Sequence, residues 1–165
     1  MGKMVILLNG PSSSGKSTLA GTLQKNIQLK RNEEYGVISI DDFLIMTPEK
    51  PIYEDDVFEI SSKICEKAIE ILESKQGIII DHVITSERIF NQLMAALKAY
   101  HIYLIQVMCP LSELRKREAE RKNRALGSAE GSYEYLFPKD GYDLTMNTFK
   151  LSSTECSLRI INAIS

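Results

Sequence analysis

At 165 residues, 44% hydrophobic and 25% charged, the chain has the size and apolar content to bury one core without disulfides or metals to staple it. A formal net charge of −2 excludes a protein that holds nucleic acid or an acidic membrane through its overall field, so any anion site has to be local. Cys65, Cys109 and Cys156 lie far apart among apolar or helical residues, the pattern of reduced buried thiols in a cytoplasmic protein rather than of a disulfide framework.

The opening "MVILLN" is a short apolar run that reads as a buried strand, too short for a signal peptide. A knot of small residues follows, then a helical segment over Lys16–Leu29. "GVISID" is a second buried strand, and Val57–Lys75 a helix with Ile60, Ile64, Ala68, Ile71 and Leu72 at helical spacing. "GIIID" is the third strand, Ser86–Tyr100 the next helix and "IYLIQVMC" the fourth strand. The last third opens with a densely charged helix, "LSELRKREAERKNR", and continues as a Gly- and Ser-rich loop, "ALGSAEGSYEYLFPKDG". "YDLTMN" supplies a fifth strand and a helix over about Ser152–Ile164 closes the chain. No stretch approaches the ~20 apolar residues of a membrane helix. Strand and helix alternate, which implies a single α/β domain over 1–165: three layers, a parallel sheet of about five strands with helices on both faces.

Gly10, Gly15, Lys16 and Ser17 stand at the spacing G-x-x-x-x-G-K-[ST], after an apolar strand and before a helix, the context a phosphate-binding loop requires. The small residues of Gly10, Pro11, Ser12, Ser13, Ser14 and Gly15 let backbone amides curl inward around phosphate oxygens, and the helix that begins with Lys16, Ser17 and Thr18 adds its positive end. Lys16 brings a point charge to the β and γ phosphates, and the Ser17 hydroxyl stands where it ligates Mg²⁺. The loop is therefore expected to hold a nucleoside triphosphate, ATP.

Neither the N/T-K-x-D guanine-reading string nor a D-x-x-G switch occurs, which argues against a GTPase. His82, rather than a water-activating glutamate, follows the strand-end Asp81, which argues against steady hydrolysis. Phosphoryl transfer to an acceptor remains, and it asks for a base, Mg²⁺ ligands and cations that neutralise developing charge. Asp41 and Asp42 fall at the end of the second strand, where ligands of open α/β sheets sit, with helix capping as the alternative for either. Asp81 ends the third strand and is expected to meet Mg²⁺ through water, to touch the acceptor, or to bond the loop backbone. His82 reads as a structural histidine. Arg115, Arg117, Arg121 and Arg124 line the charged helix, and the segment 115–131 is expected to act as a lid, Arg121 and Arg124 closing over the transferring group.

These residues resemble the chloramphenicol phosphotransferase-like family of P-loop kinases, relatives of shikimate and adenylate kinases. The likeness lies in "LLNGPSSSGKST", "ISIDDFL", "GIIIDHV", "VMCPLSELRKREAERKNRALG" and "YDLTMNT", and most specifically in the lid spacing R-E-x-x-R-x-x-R-x-x-G from Arg117 to Gly127. The resemblance implies ATP-dependent phosphorylation of a small-molecule hydroxyl, with Asp41 in the position of the family's catalytic base. It also implies that "MTPEKPIYEDDVFE" (46–59) builds part of the acceptor pocket, a stretch that departs from the pattern of chloramphenicol binders. A nucleoside or nucleotide kinase and a toxin-type kinase of nucleotide sugars share this machinery. A nucleotide-binding regulatory module with little turnover is the reading from outside the enzymes.

Overall fold

A computed structural model describes residues 2–44, 53–121 and 127–164. Its five strands are β1 (Met4–Asn9), β2 (Tyr35–Ser39), β3 (Gly77–His82), β4 (His101–Met108) and β5 (Leu144–Asn147). They form one parallel sheet in the order β2-β3-β1-β4-β5. The helices are α1 (Lys16–Arg31), α2 (Glu54–Leu72), α3 (Glu87–Ala96), α4 (Leu111–Arg121), α5 (Ser128–Tyr135) and α6 (Ser153–Ile164).

The strands are apolar on both faces because both faces are covered, and side-chain alternation divides the core in two. Val5, Leu7, Ile78 and Ile80 pack with Ile64, Ala68, Ile89 and Leu93 of α2 and α3. Ile6, Leu8, Ile79 and Val107 point the other way, onto Leu19, Leu23 and Ile27 of α1 and Ile160 of α6. The five strands read from sequence and the α/β three-layer arrangement are observed, with strand bounds shifted by up to two residues. Cys65, Cys109 and Cys156 are all buried free thiols, and burial pushes the Cys65 thiol up to about 11, with the Glu66 charge adding to it.

Two local expectations are corrected. β2 stops at Ser39, and Asp41 lies in a turn of 3-10 helix, Ile40–Asp42, because the Ser39 hydroxyl accepts the Asp41 amide and the Asp42 carboxylate accepts the Ser39 amide. The Gly- and Ser-rich stretch expected as loop folds in part into α5. Its composition disfavours a helix, but the Glu118 carboxylate of α4 accepts the first-turn amides of Gly127 and Ala129 and supplies the missing cap. Among the described residues no helix is long and apolar enough to cross a membrane.

β1 reaches the phosphate-binding loop through Gly10, where the backbone runs against β4 so closely that a Cβ would stand 2.0 Å from the Val107 carbonyl oxygen. Gly10→Ala must push two central strands apart. Chemical denaturation should show a loss of about 1–3 kcal/mol, the cost of overpacking a site closed by backbone.

Candidate functional site

The loop between β1 and α1 is built to turn its amides inward. Ser13 and Gly15 take left-handed φ values of 71° and 92°, which alternate the backbone direction and make a concave nest of N–H groups. No side chain caps α1 and no acid occupies its first turn, so the positive end of the helix faces this nest. Lys16 is buried, its Nζ donating to the Pro11 carbonyl at 2.9 Å with the Ser14 hydroxyl at 3.5 Å.

Asp81, 2% exposed at the tip of β3, faces the same side of the sheet as α1. Its Oδ2 accepts from the Ser17 hydroxyl at 2.6 Å and from the Ser39 hydroxyl at 2.8 Å, while Oδ1 lies 4.0 Å from Lys16 Nζ. A hydroxyl and a carboxylate held side by side at the start of α1 are hard oxygen donors, and they fit Mg²⁺, which keeps most of its water and takes few protein ligands. Among the described residues no group of three or more His, Cys, Asp or Glu could hold a metal ion by itself.

Above the loop a cavity of about 550 Å³ opens, lined on its floor by Ser12, Ser13, Gly15, Lys16, Ser17 and Thr18. Asp41 enters it from the 3-10 turn after β2, Asp81 from the end of β3, and Arg117 and Arg121 from α4. Arg121 Nη2 stands 3.8 Å from Asp41 Oδ2, both side chains about a third exposed, and Arg121 Nη1 donates to the Ser13 hydroxyl at 3.4 Å. Arg117 is more firmly placed. Its guanidinium donates to Glu113 at 3.2 Å, to the Thr148 hydroxyl and carbonyl at 3.3 Å each, and to the Ser13 carbonyl at 3.4 Å.

Gly10, Pro11 and Ser14 shape the loop from behind and do not line the cavity. Asp42 does not line it either, since its carboxylate closes the 3-10 turn. Arg115 points elsewhere, pairing with Glu130 at 2.6 Å on the surface. Arg124 lies outside the described residues, as do 46–52 of the stretch expected to form the acceptor pocket. Sequence reasoning missed Thr148, Leu151, Ser152 and Ser153, which form the far wall beside Gly15. Their signal was the segment after the fifth strand, and only the pairing of β5 beside β4 brings it there.

With this geometry in view, the comparisons place the chain. The family model described as "Chloramphenicol phosphotransferase-like protein" matches residues 3–165. The chain belongs to the chloramphenicol phosphotransferase-like family. No curated protein matches it. The APS kinase CysC of Mycobacterium tuberculosis, solved with AMPPNP and APS, superposes with a TM-score of 0.75 at 14% identity, over 99% of this chain and 98% of that one. A gluconokinase from Sinorhizobium meliloti 1021 gives 0.63 at 18% identity, over 97% and 93%. A sugar kinase from Janibacter sp. HTCC2649 gives 0.68 at 15% identity, over 98% and 94%. At these identities the likeness establishes the shared three-layer kinase fold, and the family supplies the coarse activity, that of a phosphotransferase.

His82 has its place in the opposite core. It is wholly buried, with Nε2 2.7 Å from the Ser61 hydroxyl of α2, and burial lowers its pKa from 6.5 to about 4, the Lys16 charge adding to this and the Val83 backbone opposing it. The unfolded chain takes up a proton near pH 6.5 that the fold refuses until about 4, so this contribution to stability is complete above 6.5 and falls as the pH drops through that window. Urea denaturation without Mg²⁺ should show a slope approaching about 1.4 kcal/mol per pH unit there, and His82→Gln should flatten it.

Proposed function

We propose that this chain transfers the γ-phosphoryl group of ATP to a hydroxyl of a small-molecule acceptor. The observation that carries this reading is that the loop lysine, the Ser17–Asp81 pair, Asp41 and two arginines all meet in one cavity. Lys16 and the loop amides hold the β and γ phosphates, and Arg117 enters the same cavity beside Thr148 and Leu151. Ser17 and Asp81 are the residues that would hold Mg²⁺, and the ion would supply neutralisation of phosphate charge.

Asp41, exposed at the cavity edge, accepts the proton of the acceptor hydroxyl as its oxygen bonds the γ phosphorus and the bond from that phosphorus to the β-phosphate oxygen breaks. Arg121, close to Asp41 and to Ser13, stabilises the charge on the equatorial oxygens. Arg124 is assigned the same task by the lid spacing alone, with the lid taken as 115–131. The acceptor is a neutral or charged small molecule bearing a free hydroxyl, and a screen of ATP consumption against such compounds tests the reading. Stimulation by none of them, with ATP bound, would leave a nucleotide-binding module.

Two substitutions probe the parts separately. Lys16→Ala should abolish transfer and weaken ATP binding, and Lys16→Arg should not rescue it, because the loop encloses a compact ammonium; near-normal affinity in a calorimetric titration of the folded variant contradicts the assignment. Asp41→Asn keeps the reach of the side chain and removes its basicity, so single-turnover transfer should slow by about 10²-fold or more with ATP binding retained. Asp42→Asn, which touches only the cap of the turn, should cost far less. An inactive Asp42 variant beside an active Asp41 variant reverses the base assignment.

A further inference from the structure

α4 is a helix of charged residues, most of them in water, yet Glu118 on it is only 6% exposed. A buried carboxylate is costly unless it is bonded, and this one is bonded to backbone. Its Oε1 accepts the Ala129 amide at 2.8 Å and its Oε2 the Gly127 amide at 3.3 Å, at the N-terminal end of α5, where the helix dipole favours negative charge. Gly127, with a φ of 89°, makes the turn that presents these amides.

α5 is in turn attached to the phosphate-binding loop. The Ser12 amide donates to the Ser132 hydroxyl at 2.9 Å, and that hydroxyl donates in turn to the Ser128 and Ala129 carbonyls at 2.8 and 3.1 Å. From α4 the path returns to the loop through Arg117 and Arg121, which reach the Ser13 carbonyl and hydroxyl at 3.4 Å each. The contacts therefore close a ring: Ser12, α5, Glu118, α4, the two arginines, Ser13. Within it the arginine contacts are long and weak for hydrogen bonds, whereas the Glu118–Ala129 bond is short and charge-assisted. The Arg115–Glu130 pair also joins the helices, but it is more than half exposed on one side and about half on the other, and contributes little.

We propose that Glu118 is a positioning residue for phosphoryl transfer: by bracing α4 against α5, which Ser132 fastens to the loop, it sets where the Arg117 and Arg121 guanidinium groups stand over the phosphates. This rests on the transfer reading, in which Arg121 meets the γ-phosphoryl group and Arg117 enters the same cavity. Arginine side chains are long and entropically loose, so their effect in a transition state depends on a fixed helix beneath them. Glu118 touches no ligand and acts only through that placement.

The test needs no acceptor. Calorimetry with Mg²⁺ compares AMPPNP with ADP, which differ in the γ group alone, for the wild type, Glu118→Gln, Arg121→Ala and the double variant. Gln keeps the shape but turns an amide N–H toward an amide donor. ADP affinity should change by no more than about twofold, while the preference for AMPPNP over ADP falls by about 10-fold and falls no further when Arg121→Ala is added. With the acceptor found in the screen, kcat should drop by about 10²-fold at a nearly constant KM for ATP, the effect of a displaced group rather than a lost one. A folded Glu118→Gln protein that keeps its AMPPNP preference, or whose loss adds in full to that of Arg121→Ala, overturns the proposal. So does a wild type that does not distinguish the two nucleotides. Where Glu118→Gln does not fold, Ser132→Ala cuts the same ring at the loop and should lower the AMPPNP preference in the same direction; an unchanged preference there overturns it equally. A wild type that prefers AMPPNP but phosphorylates no acceptor removes the transfer reading and leaves the brace standing.

Discussion

Asp81 occupies the tip of the strand between β2 and β1, and the register sets Leu8 and Ser39 level with it on either side. Its carboxylate is buried, so each lone pair left without a donor would cost stability. The donors come from the two segments that leave those neighbouring strands: Ser39 at the end of β2 and Ser17 at the start of α1, with the Lys16 charge 4.0 Å away. One group thus fixes the start of the phosphate-binding helix, the end of the strand that leads to Asp41, and the burial of the loop cation. Replacing it by an apolar residue would leave Lys16 buried without its anion, which costs more than never having had the pair.

How far the sequence discloses this arrangement follows from the range of the interactions involved. The strands were legible because a parallel sheet covered on both faces needs continuous apolar runs, and the loop was legible because phosphate geometry demands small residues, a lysine and a hydroxyl at fixed spacing. α5 was not, since Gly131 and the two serines Ser128 and Ser132 weaken local helix propensity and the cap that rescues it, Glu118, comes from another helix. The end of β2 was misplaced by two residues because the Ser39 capping box competes with the ladder, a local exchange invisible to hydrophobic patterning. Arg117 stood out less than Arg121 on the page, yet its partner Thr148 lies 31 residues away in sequence and only β4–β5 pairing makes them neighbours.

The last residue of β1 shows how alternation lets one strand serve both faces. Asn9 follows Leu8 and turns to the side opposite α1, where it is wholly buried. Its side-chain Oδ1 accepts the Ile84 amide at 2.8 Å, and its Nδ2 donates to the Phe137 carbonyl at 2.9 Å and the Tyr142 hydroxyl at 3.0 Å. Phe137 also donates its own amide to the Ile84 carbonyl at 2.9 Å and packs edge-on against Phe90 of α3. The chain that leaves α5 is therefore anchored one residue before the phosphate-binding loop begins. The hairpin of α4 and α5 is held from three sides: by Asn9 beyond it, by Ser132 at the loop and by Glu118 within.

An acidic chain can still concentrate positive potential where it is needed, because the contributions are short-ranged and share a sheltered cavity. Lys16, Arg117, Arg121, the nest amides and the end of α1 converge on a volume of about 550 Å³, while Asp41 enters it from the 3-10 turn after β2 and Asp81 from the end of β3. In bulk water charges spread over such distances would largely be screened, but pairs near a protein surface interact about four times as strongly at an effective dielectric near 20. The same strengthening acts between the opposite charges, which is why Asp81 lies beside Lys16 and Asp41 beside Arg121 rather than facing each other. Asp81 screens Lys16, and Asp41 screens Arg121. A bound polyphosphate would offer those cations more charge than a single carboxylate can.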